Sequence, residues 1–149
     1  MSEFVQPTPA GCILYAEDDE NDIFFFEYAL NLTHSRYKLA SVPDGEKAVD
    51  YLSGKGAFAD RSRHPFPALI LLDINMPRKT GLEVLEWIRQ QPELKKLPVV
   101  IFTSSSRPED MDKASQLGAT DYLLKPSEPR KLLELVKNLH ARWLRPLGN

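Results

Sequence analysis

The residues best suited to chemistry in this chain are carboxylates placed directly after apolar segments. Residues 68–77 read ALILLDINMP, so Asp73 ends a run of Leu and Ile without polar alternation. Such a run is typical of a strand buried on both faces of a parallel sheet. An acid at its end emerges where the sheet meets solvent, which is where open α/β sheets keep their active sites. Asp73 is therefore predicted to be a site residue.

The same layout recurs at three other apolar segments, at 12–16, 98–102 and 121–124. The polar groups that follow them are Glu17, Asp18 and Asp19, then Thr103, Ser104 and Ser105, then Lys125 before Pro126. A parallel sheet gathers the carboxyl ends of its strands at one edge. The sequence thus predicts one pocket that contains carboxylates, hydroxyls and a single amine.

Helical patterns lie between these segments and must position them. Helices are predicted at 20–32, from the cap Asp44 through Leu52, at 82–89, at 108–117 and at 129–144, with a further strand at 37–42. Asp19 and Asp44 are the expected N-caps of the first two helices. Five strands alternating with five helices predict a doubly wound α/β fold, because right-handed crossovers place helices on both faces of a parallel sheet.

Three segments need separate treatment. The adjacent Phe24, Phe25 and Phe26 cannot all face the core from one amphipathic helix, so at least one is expected to be exposed. Residues 53–67, rich in Gly, Pro and charge, are predicted to be a long loop within the domain, because the next strand must join the same sheet. In the last helix Leu132, Val136, Leu139 and Trp143 form the stripe expected on the sheet, and Leu133 and Leu144 lie off it.

Composition limits the class of protein. The chain has 149 residues, of which 42% are hydrophobic and 27% charged, which suits one globular domain. A net charge of -2 gives no reason to expect nucleic acid as a partner. The one cysteine, Cys12, excludes an internal disulfide and fits a reducing compartment. No apolar run reaches the length of a membrane span, and the amino terminus lacks a secretory pattern. We expect a cytoplasmic protein that binds neither membrane nor nucleic acid directly.

Taken in order, these motifs resemble those of response-regulator receiver domains, the phospho-acceptor modules of two-component signalling. The resemblance covers roughly residues 12–139 and rests on the pair Glu17-Asp18, LLDINMP with Asp73, Thr103-Ser104, and Tyr122 ahead of Lys125-Pro126. It implies a flavodoxin-like strand order of 2-1-3-4-5. The expected domain is 12–144, between tails at 1–11 and 145–149.

The resemblance gives the acidic residues defined roles. Asp73 is expected to attack phosphorus through its carboxylate and form an acyl phosphate. Crowded carboxylates repel each other by a few kcal/mol per close pair, on the order expected near a protein surface, and a divalent cation cancels that repulsion. Mg²⁺ suits an all-oxygen site. By resemblance, Asp18 and Asp73 are side-chain ligands, the Asn75 backbone carbonyl is a third ligand, and Glu17 acts through water.

The remaining motif residues are expected to handle the phosphoryl group and the switch. Lys125 would pair with a phosphoryl oxygen, and the Thr103 hydroxyl would hydrogen-bond it. Small Ser104 leaves room for phosphate to enter. Tyr122 would move between outward and inward rotamers as Thr103 moves. The resemblance also implies a cis peptide before Pro126.

The same resemblance predicts a signalling module rather than an enzyme. The chain ends soon after its fifth helix, so we expect a stand-alone response regulator without an output domain. It would accept phosphoryl from a sensor histidine kinase or a histidine phosphotransfer protein and act on a downstream protein. A homodimer through the fourth helix, fifth strand and fifth helix is expected. Residues 53–67 and the segment LKKLP at 94–98 resemble regulators that serve bacterial phytochromes and related kinases.

Two rival classes of protein fit these motifs less well. A haloacid-dehalogenase-type phosphatase needs a second acid two residues after its nucleophile, where this chain has Asn75. A flavin module needs a hydroxyl- and glycine-rich phosphate loop after the first strand, where EDDEND would repel phosphate without a metal. His34, His64 and His140 have no metal-ligand spacing. A receiver-fold interaction module that is never phosphorylated stays open as the alternative.

Overall fold

Strands and helices alternate along the whole described chain. The computed structural model describes residues 11–144. The strands are β1 Gly11–Ala16, β2 Tyr37–Val42, β3 Pro67–Leu72, β4 Val99–Thr103 and β5 Asp121–Leu124. The helices are α1 Glu20–Leu32, α2 Gly45–Ser53, α3 Gly81–Gln90, α4 Pro108–Gln116 and α5 Pro129–Trp143. Each bound lies within one residue of its predicted position. Apart from Gly11, which opens β1, the predicted tails lie outside the described residues.

The five strands form one parallel sheet in the order β2-β1-β3-β4-β5, which confirms the predicted topology. The register pairs Ile13 of β1 with Leu69 of β3, and Ile70 of β3 with Val99 of β4. Because every pairing is parallel, all carboxyl ends face the same edge. We call it the carboxyl edge, and the opposite one the amino edge.

Helices cover both faces of the sheet, as predicted. One apolar layer packs α2, α3 and α4 on one face, with Leu14 and Ile70 contributed by the strands. The other packs α1 and α5 on the opposite face, with Ile13 and Leu69 from the same strands. Successive side chains of a strand point to opposite faces, so one strand supplies both layers. This explains why β1 and β3 are apolar without alternation.

Helix α1 leaves part of its apolar surface in solvent. Phe26 is buried, whereas Phe24 and Phe25 are 61% and 52% exposed, which confirms that the three rings cannot all face the core. Asp19 caps the helix, since its Oδ1 accepts hydrogen bonds from the backbone of Asn21 and Asp22. Within residues 11–144, no helix combines the length and the apolar character needed to cross a membrane.

The end of α5 differs from its expected pattern. Leu132, Val136 and Trp143 contact the core as predicted. Of the two leucines expected off the stripe, Leu144 is buried in the same apolar layer, and Leu133 is partly buried and packs against it. The reason is the backbone: Leu144 is the C-cap, with φ -118° and ψ 141°, so helical spacing no longer sets the direction of its side chain.

The predicted loop at 53–67 is ordered by one arginine. A 3₁₀ turn at Gly56–Phe58 follows α2. Arg61 Nη1 donates to the carbonyl oxygen of Tyr51 at 2.8 Å, and its Nη2 donates to that of Leu52 at 2.9 Å. The last carbonyls of a helix have no partner within it. Arg61 therefore ties the loop to the end of α2 before the chain enters β3.

A second arginine holds the amino edge. Arg89 of α3 donates through Nε to the Gly118 carbonyl at 2.9 Å and through Nη1 to the Leu97 carbonyl at 2.9 Å. Its Nη2 donates to Thr120 Oγ1 at 3.3 Å, and that hydroxyl accepts the Val99 amide. One side chain thus joins α3 to the segments that lead into β4 and β5.

Candidate functional site

The carboxyl edge brings the predicted acids together. Glu17 and Asp18 follow β1, and Asp73 follows the adjacent β3. One carboxylate oxygen from each lies within 4.8 Å of the other two. Glu17 and Asp73 are buried, and Asp18 is exposed. The cluster is therefore open to solvent on the side of Asp18 and enclosed by protein on the other.

Lys125, which follows β5, reaches into this cluster. Its Nζ donates to Glu17 Oε1 at 2.5 Å, to Asp22 Oδ2 at 2.7 Å and to Asp73 Oδ2 at 3.0 Å. Only 15% of its side chain is exposed. The backbone amide of Lys125 also donates to the Thr103 carbonyl at 2.8 Å, which fixes the base of the side chain. A single ammonium group thus bridges three carboxylates.

Burial and charge shift the acidities of these groups. Desolvation raises the pKa of Glu17 to about 7; the hydrogen bond from Lys125 opposes this rise and the charge of Asp73 adds to it. Desolvation would lower the pKa of Lys125, but its hydrogen bonds to Asp22 and Glu17 and the charge of Asp73 raise it overall. Lys125 therefore stays protonated and acts as a fixed positive charge in an acidic pocket.

The backbone around Asp73 is packed without room for side-chain atoms. The Asp73 amide donates to the Ala16 carbonyl at 3.2 Å, which extends the pairing of β1 and β3 by one residue. A Cβ added to Gly81, the first residue of α3, would lie 2.1 Å from the Asp73 carbonyl oxygen. Glycine is required there, because such a distance is far inside van der Waals contact. The start of α3 thus sets the position of Asp73.

The loop that carries Asn75 is held from the side of α2. Arg78, with a left-handed φ of 69°, donates through Nε to Asp44 Oδ2 at 3.2 Å. Gly45 approaches the Lys79 carbonyl so closely that a Cβ would be 2.0 Å from its oxygen. Asn75 is exposed within this loop. It lies two residues after Asp73, between the strand pairing of Asp73 and the anchored Arg78 and Lys79.

The acidic cluster fits a hard divalent cation. Asp73 Oδ1 is buried and, within residues 11–144, finds no hydrogen-bond partner. Unpartnered buried oxygens are rare in proteins, and each needs an explanation such as an ion or a water. The cluster of Glu17, Asp18 and Asp73 offers only oxygen donors, which are the ligands of Mg²⁺ and similar ions. The exposure of Asp18 leaves room for the water ligands that Mg²⁺ retains.

The hydroxyl side of the site is connected through Ser105. Thr103 is fully buried, and its Oγ1 accepts the Ser105 amide at 3.3 Å. The Tyr122 hydroxyl donates to the Ser105 carbonyl at 2.8 Å. Ser105 Oγ donates to Asp110 Oδ2 in the first turn of α4 at 2.6 Å. Ser104, between them, is exposed. One residue thus contacts Thr103, Tyr122 and α4.

One expectation for this region is wrong. No cis peptide bond occurs within residues 11–144, so the bond before Pro126 is trans. The trans form is favoured by about 0.5–1 kcal/mol at X-Pro bonds, and the contacts of Lys125 described above are made with that isomer.

Sequence reasoning missed Asp22. The sequence pattern assigns it only to the helix that follows the acidic motif, yet its carboxylate accepts a hydrogen bond from Lys125. The available signal was its place in the first turn of α1, three residues after the N-cap Asp19, which turns it toward the carboxyl edge. The histidines lie elsewhere, as expected: His64 packs on Tyr51, and His140 lies 2.8 Å from Ser35 Oγ.

Comparison with known proteins relates this chain to a family. The family model described as the response regulator receiver domain matches residues 13–137. Response regulator Rcp1 of Synechocystis sp. is 33% identical over 139 residues, which are 93% of this chain and 92% of Rcp1.

Solved structures agree with this relationship. The phosphorylated cyanobacterial phytochrome response regulator RcpA superposes with a TM-score of 0.83 at 33% identity, covering 93% of this chain and 99% of RcpA. A response regulator of red light signalling in R. palustris gives a TM-score of 0.84 at 31% identity, with coverage of 93% and 99%. The Mn²⁺-bound form of Rcp1 gives 0.81 at 33% identity, with coverage of 93% and 97%.

Proposed function

The chain belongs to the response-regulator receiver family, and we propose that Asp73 is the residue on which it accepts a phosphoryl group. It is a receiver-domain response regulator homologous to the phytochrome response regulators. Receiver domains in general are signalling modules and not enzymes. The observation that carries the proposal is the position of Asp73, with Oδ2 at 3.0 Å from Lys125 Nζ and Oδ1 unpartnered among the described residues.

The transfer is a displacement at phosphorus. An Asp73 carboxylate oxygen forms the new O–P bond, while the bond from phosphorus to the donor breaks and the leaving group keeps its electron pair. With a phosphohistidine donor, the leaving group is the imidazole nitrogen. The Lys125 ammonium pairs with a phosphoryl oxygen and compensates the charge of the transferred group. Thr103 donates its hydroxyl to another oxygen, and Ser104 adds no bulk at the entry.

The proposed resident ion is Mg²⁺. Asp18 and Asp73 would hold it through their carboxylates and Asn75 through its backbone carbonyl, with Glu17 acting through water. The ion, when bound, neutralises the clustered carboxylates and the charge of the phosphoryl group. The shared oxygen chemistry of Glu17, Asp18 and Asp73 supports this assignment, and Rcp1, a relative, has a Mn²⁺-bound form.

The proposed partners follow from this chemistry. The donor is a sensor histidine kinase or a histidine phosphotransfer protein, and the output is a contact with a downstream protein, in the cytoplasm of a bacterium. The switch surface is the face of α4, β5 and α5, which carries Tyr122 and closes a two-fold homodimer. Met111 and Leu124 on this face are 41% and 46% exposed, and apolar side chains in solvent favour a protein contact.

Intact mass spectrometry after incubation with acetyl phosphate and Mg²⁺ tests the proposal. The wild type is expected to gain one phosphoryl group, and Asp73→Asn is expected to gain none, because the amide oxygen is a poor nucleophile. Asp112→Asn, which removes an exposed acid of α4, is the matched control and should be labelled like the wild type. Labelling of Asp73→Asn at the wild-type rate would refute the site. A wild type that gains no mass would favour the interaction module that is never phosphorylated.

A further inference from the structure

Lys125 has one carboxylate partner more than the proposed function needs. An ammonium group has three N–H donors. Glu17, Asp22 and Asp73 take all three, at 2.5, 2.7 and 3.0 Å. A phosphoryl oxygen that arrives at Asp73 must therefore displace one of these partners from Lys125. Which carboxylate is displaced affects how tightly the resting protein binds the phosphoryl group.

Two of the three carboxylates are poorly placed to leave. Glu17 is 1% exposed, and it also accepts the Asp19 amide at 3.1 Å and the Tyr15 hydroxyl at 3.3 Å. Separation from Lys125 would leave its charge buried, which is costly. Asp73 is 6% exposed, and in the proposed function it carries the phosphoryl group itself. Neither of them is exposed enough to exchange Lys125 for water.

Asp22 differs from both in its exposure. Its side chain is 37% exposed, and it lies on the first turn of α1, where water can replace the lysine at little cost. Solvent screens the charges of an ion pair that it can reach, so a partly exposed partner is held less firmly than a buried one. Of the three carboxylates, Asp22 is thus the one that water can most readily replace at Lys125, although its bond of 2.7 Å is shorter than the 3.0 Å bond to Asp73.

We infer that Asp22 is a positioning residue that holds Lys125 toward α1 in the resting protein and releases it when a phosphoryl group occupies Asp73. This inference rests on the proposed function. Asp22 restrains the site in two ways. It competes for the third N–H of Lys125, and its negative charge repels the anionic group that arrives. Removal of that charge should therefore strengthen the response to phosphoryl.

The test is an equilibrium titration with beryllofluoride, a non-covalent stand-in for the phosphoryl group, in the presence of Mg²⁺. Binding is followed through the amide NMR signals of residues 103–105. Asp22→Asn should lower the apparent Kd by roughly twofold to fivefold, the factor that corresponds to a partly exposed ion pair. Asp22→Glu keeps the charge and can still reach Lys125, so it should restore a Kd near that of the wild type.

Glu20→Gln is the matched control. Glu20 is an exposed acid in the same helical turn as Asp22, so its loss changes the net charge equally. Its Kd should stay near the wild-type value. The difference between Asp22→Asn and the wild type should also shrink in 0.5 M NaCl, because salt screens a partly exposed pair.

Three results would overturn the inference. An Asp22→Asn Kd equal to or above that of the wild type would show that Asp22 does not restrain the site. An equal decrease in Glu20→Gln would assign the effect to net charge and not to the bond with Lys125. A wild type that does not respond to beryllofluoride would refute the proposed function as well, whereas a normal wild-type response with unchanged variants would refute the role of Asp22 alone.

Discussion

At the scale of the residue, the carboxylates of the site differ in what burial does to them. Asp73 and Glu17 are enclosed, so their charges depend on Lys125 and on any cation for compensation. Asp18 is exposed and meets them at the open side of the cluster. It is therefore the acid whose removal changes cation binding with the smallest change in packing.

Asp18→Ala should lose the stabilisation by Mg²⁺ without lowering the stability of the metal-free protein. For the wild type, Mg²⁺ at ten times its Kd should add about 1.4 kcal/mol to the free energy of unfolding. In a domain of this size that raises the thermal midpoint by about 3–6 °C. Asp18→Ala should lose most of this gain. In chelator its midpoint should equal or exceed that of the wild type, since one of three crowded charges is gone.

Thermal unfolding with Mg²⁺ and with chelator measures both effects, with Glu20→Ala as a control for the loss of one negative charge outside the cluster. The control should keep the full response to Mg²⁺. Equal midpoints of the wild type with Mg²⁺ and with chelator would remove the cation from the mechanism.

The sequence predicts that Glu17, Asp18, Asp73 and Lys125 lie together, because each directly follows a strand and a parallel sheet gathers the ends of its strands. It does not predict that Asp22 joins them, since the role of Asp22 depends on the direction in which Lys125 extends from β5. That direction depends on contacts between Lys125 and α1 in the folded protein. The spacing of Asp22 and Lys125 in the sequence does not predict it.

At the scale of the element, the segment after β4 joins the hydroxyl side of the site to the rest of the protein. Ser105 accepts from Tyr122 through its carbonyl and donates to Thr103 through its amide. A movement of Thr103 toward a phosphoryl oxygen would break or bend the amide contact. The carbonyl that holds Tyr122 belongs to the same residue, so we expect the two movements to be linked.

Thr103→Ala should therefore accept the phosphoryl group and fail to move Tyr122. The nucleophile and Lys125 stay in place, but no hydroxyl remains to pull the segment toward the phosphate. Intact mass after incubation with acetyl phosphate measures whether the variant accepts the phosphoryl group. The ring signals of Tyr122 in NMR spectra measure whether Tyr122 moves. Ring signals that change as fully in Thr103→Ala as in the wild type would refute the link.

The loop at 53–67 should owe its order to Arg61. Arg61→Ala removes hydrogen bonds to the carbonyls of Tyr51 and Leu52. The Tyr51 carbonyl keeps the amide of Gly54, so the main cost is that of the Leu52 carbonyl, and a buried acceptor left unpaired costs about 1–3 kcal/mol. We expect a loss of about 1–3 kcal/mol in the free energy of unfolding, measured in urea. Arg63→Ala, at an exposed position of the same loop, is the control and should change it by less than about 0.5 kcal/mol.

The strands and helices could be predicted because their signals lie within each segment, whereas the contacts of the loop at 53–67 do not. β3 reads as apolar on every position because both of its faces are covered, and α2 begins at an aspartate that caps it. Such signals are local. The contacts of residues 53–67 include those of Arg61 with carbonyls nine and ten positions earlier, and composition alone predicts only a long loop.

At the scale of the whole molecule, the proposed dimer should depend on the face of α4, β5 and α5. Leu124→Asp should weaken association, because it places a charge in the buried part of the interface. Leu32→Asp is the matched control: Leu32 is 47% exposed, nearly the same as the 46% of Leu124, but it lies at the end of α1.

Light scattering at tens of micromolar, with and without beryllofluoride, measures the oligomeric state. The wild type and Leu32→Asp should be dimeric with beryllofluoride, and Leu124→Asp should be monomeric. A wild type that stays monomeric under both conditions would leave this face for a different partner.

The hydrogen bonds of Arg89 at the amino edge should slow hydrogen exchange there. Opening that edge requires several hydrogen bonds of one guanidinium to break together, so the backbone amide protons of the edge should exchange with solvent only in rare, large openings. The segment at 104–107 is held mainly through Ser105 and is otherwise exposed, so its amide protons should exchange more readily. We therefore expect slow hydrogen exchange at the amino edge and faster exchange at 104–107, beside the proposed phosphorylation site.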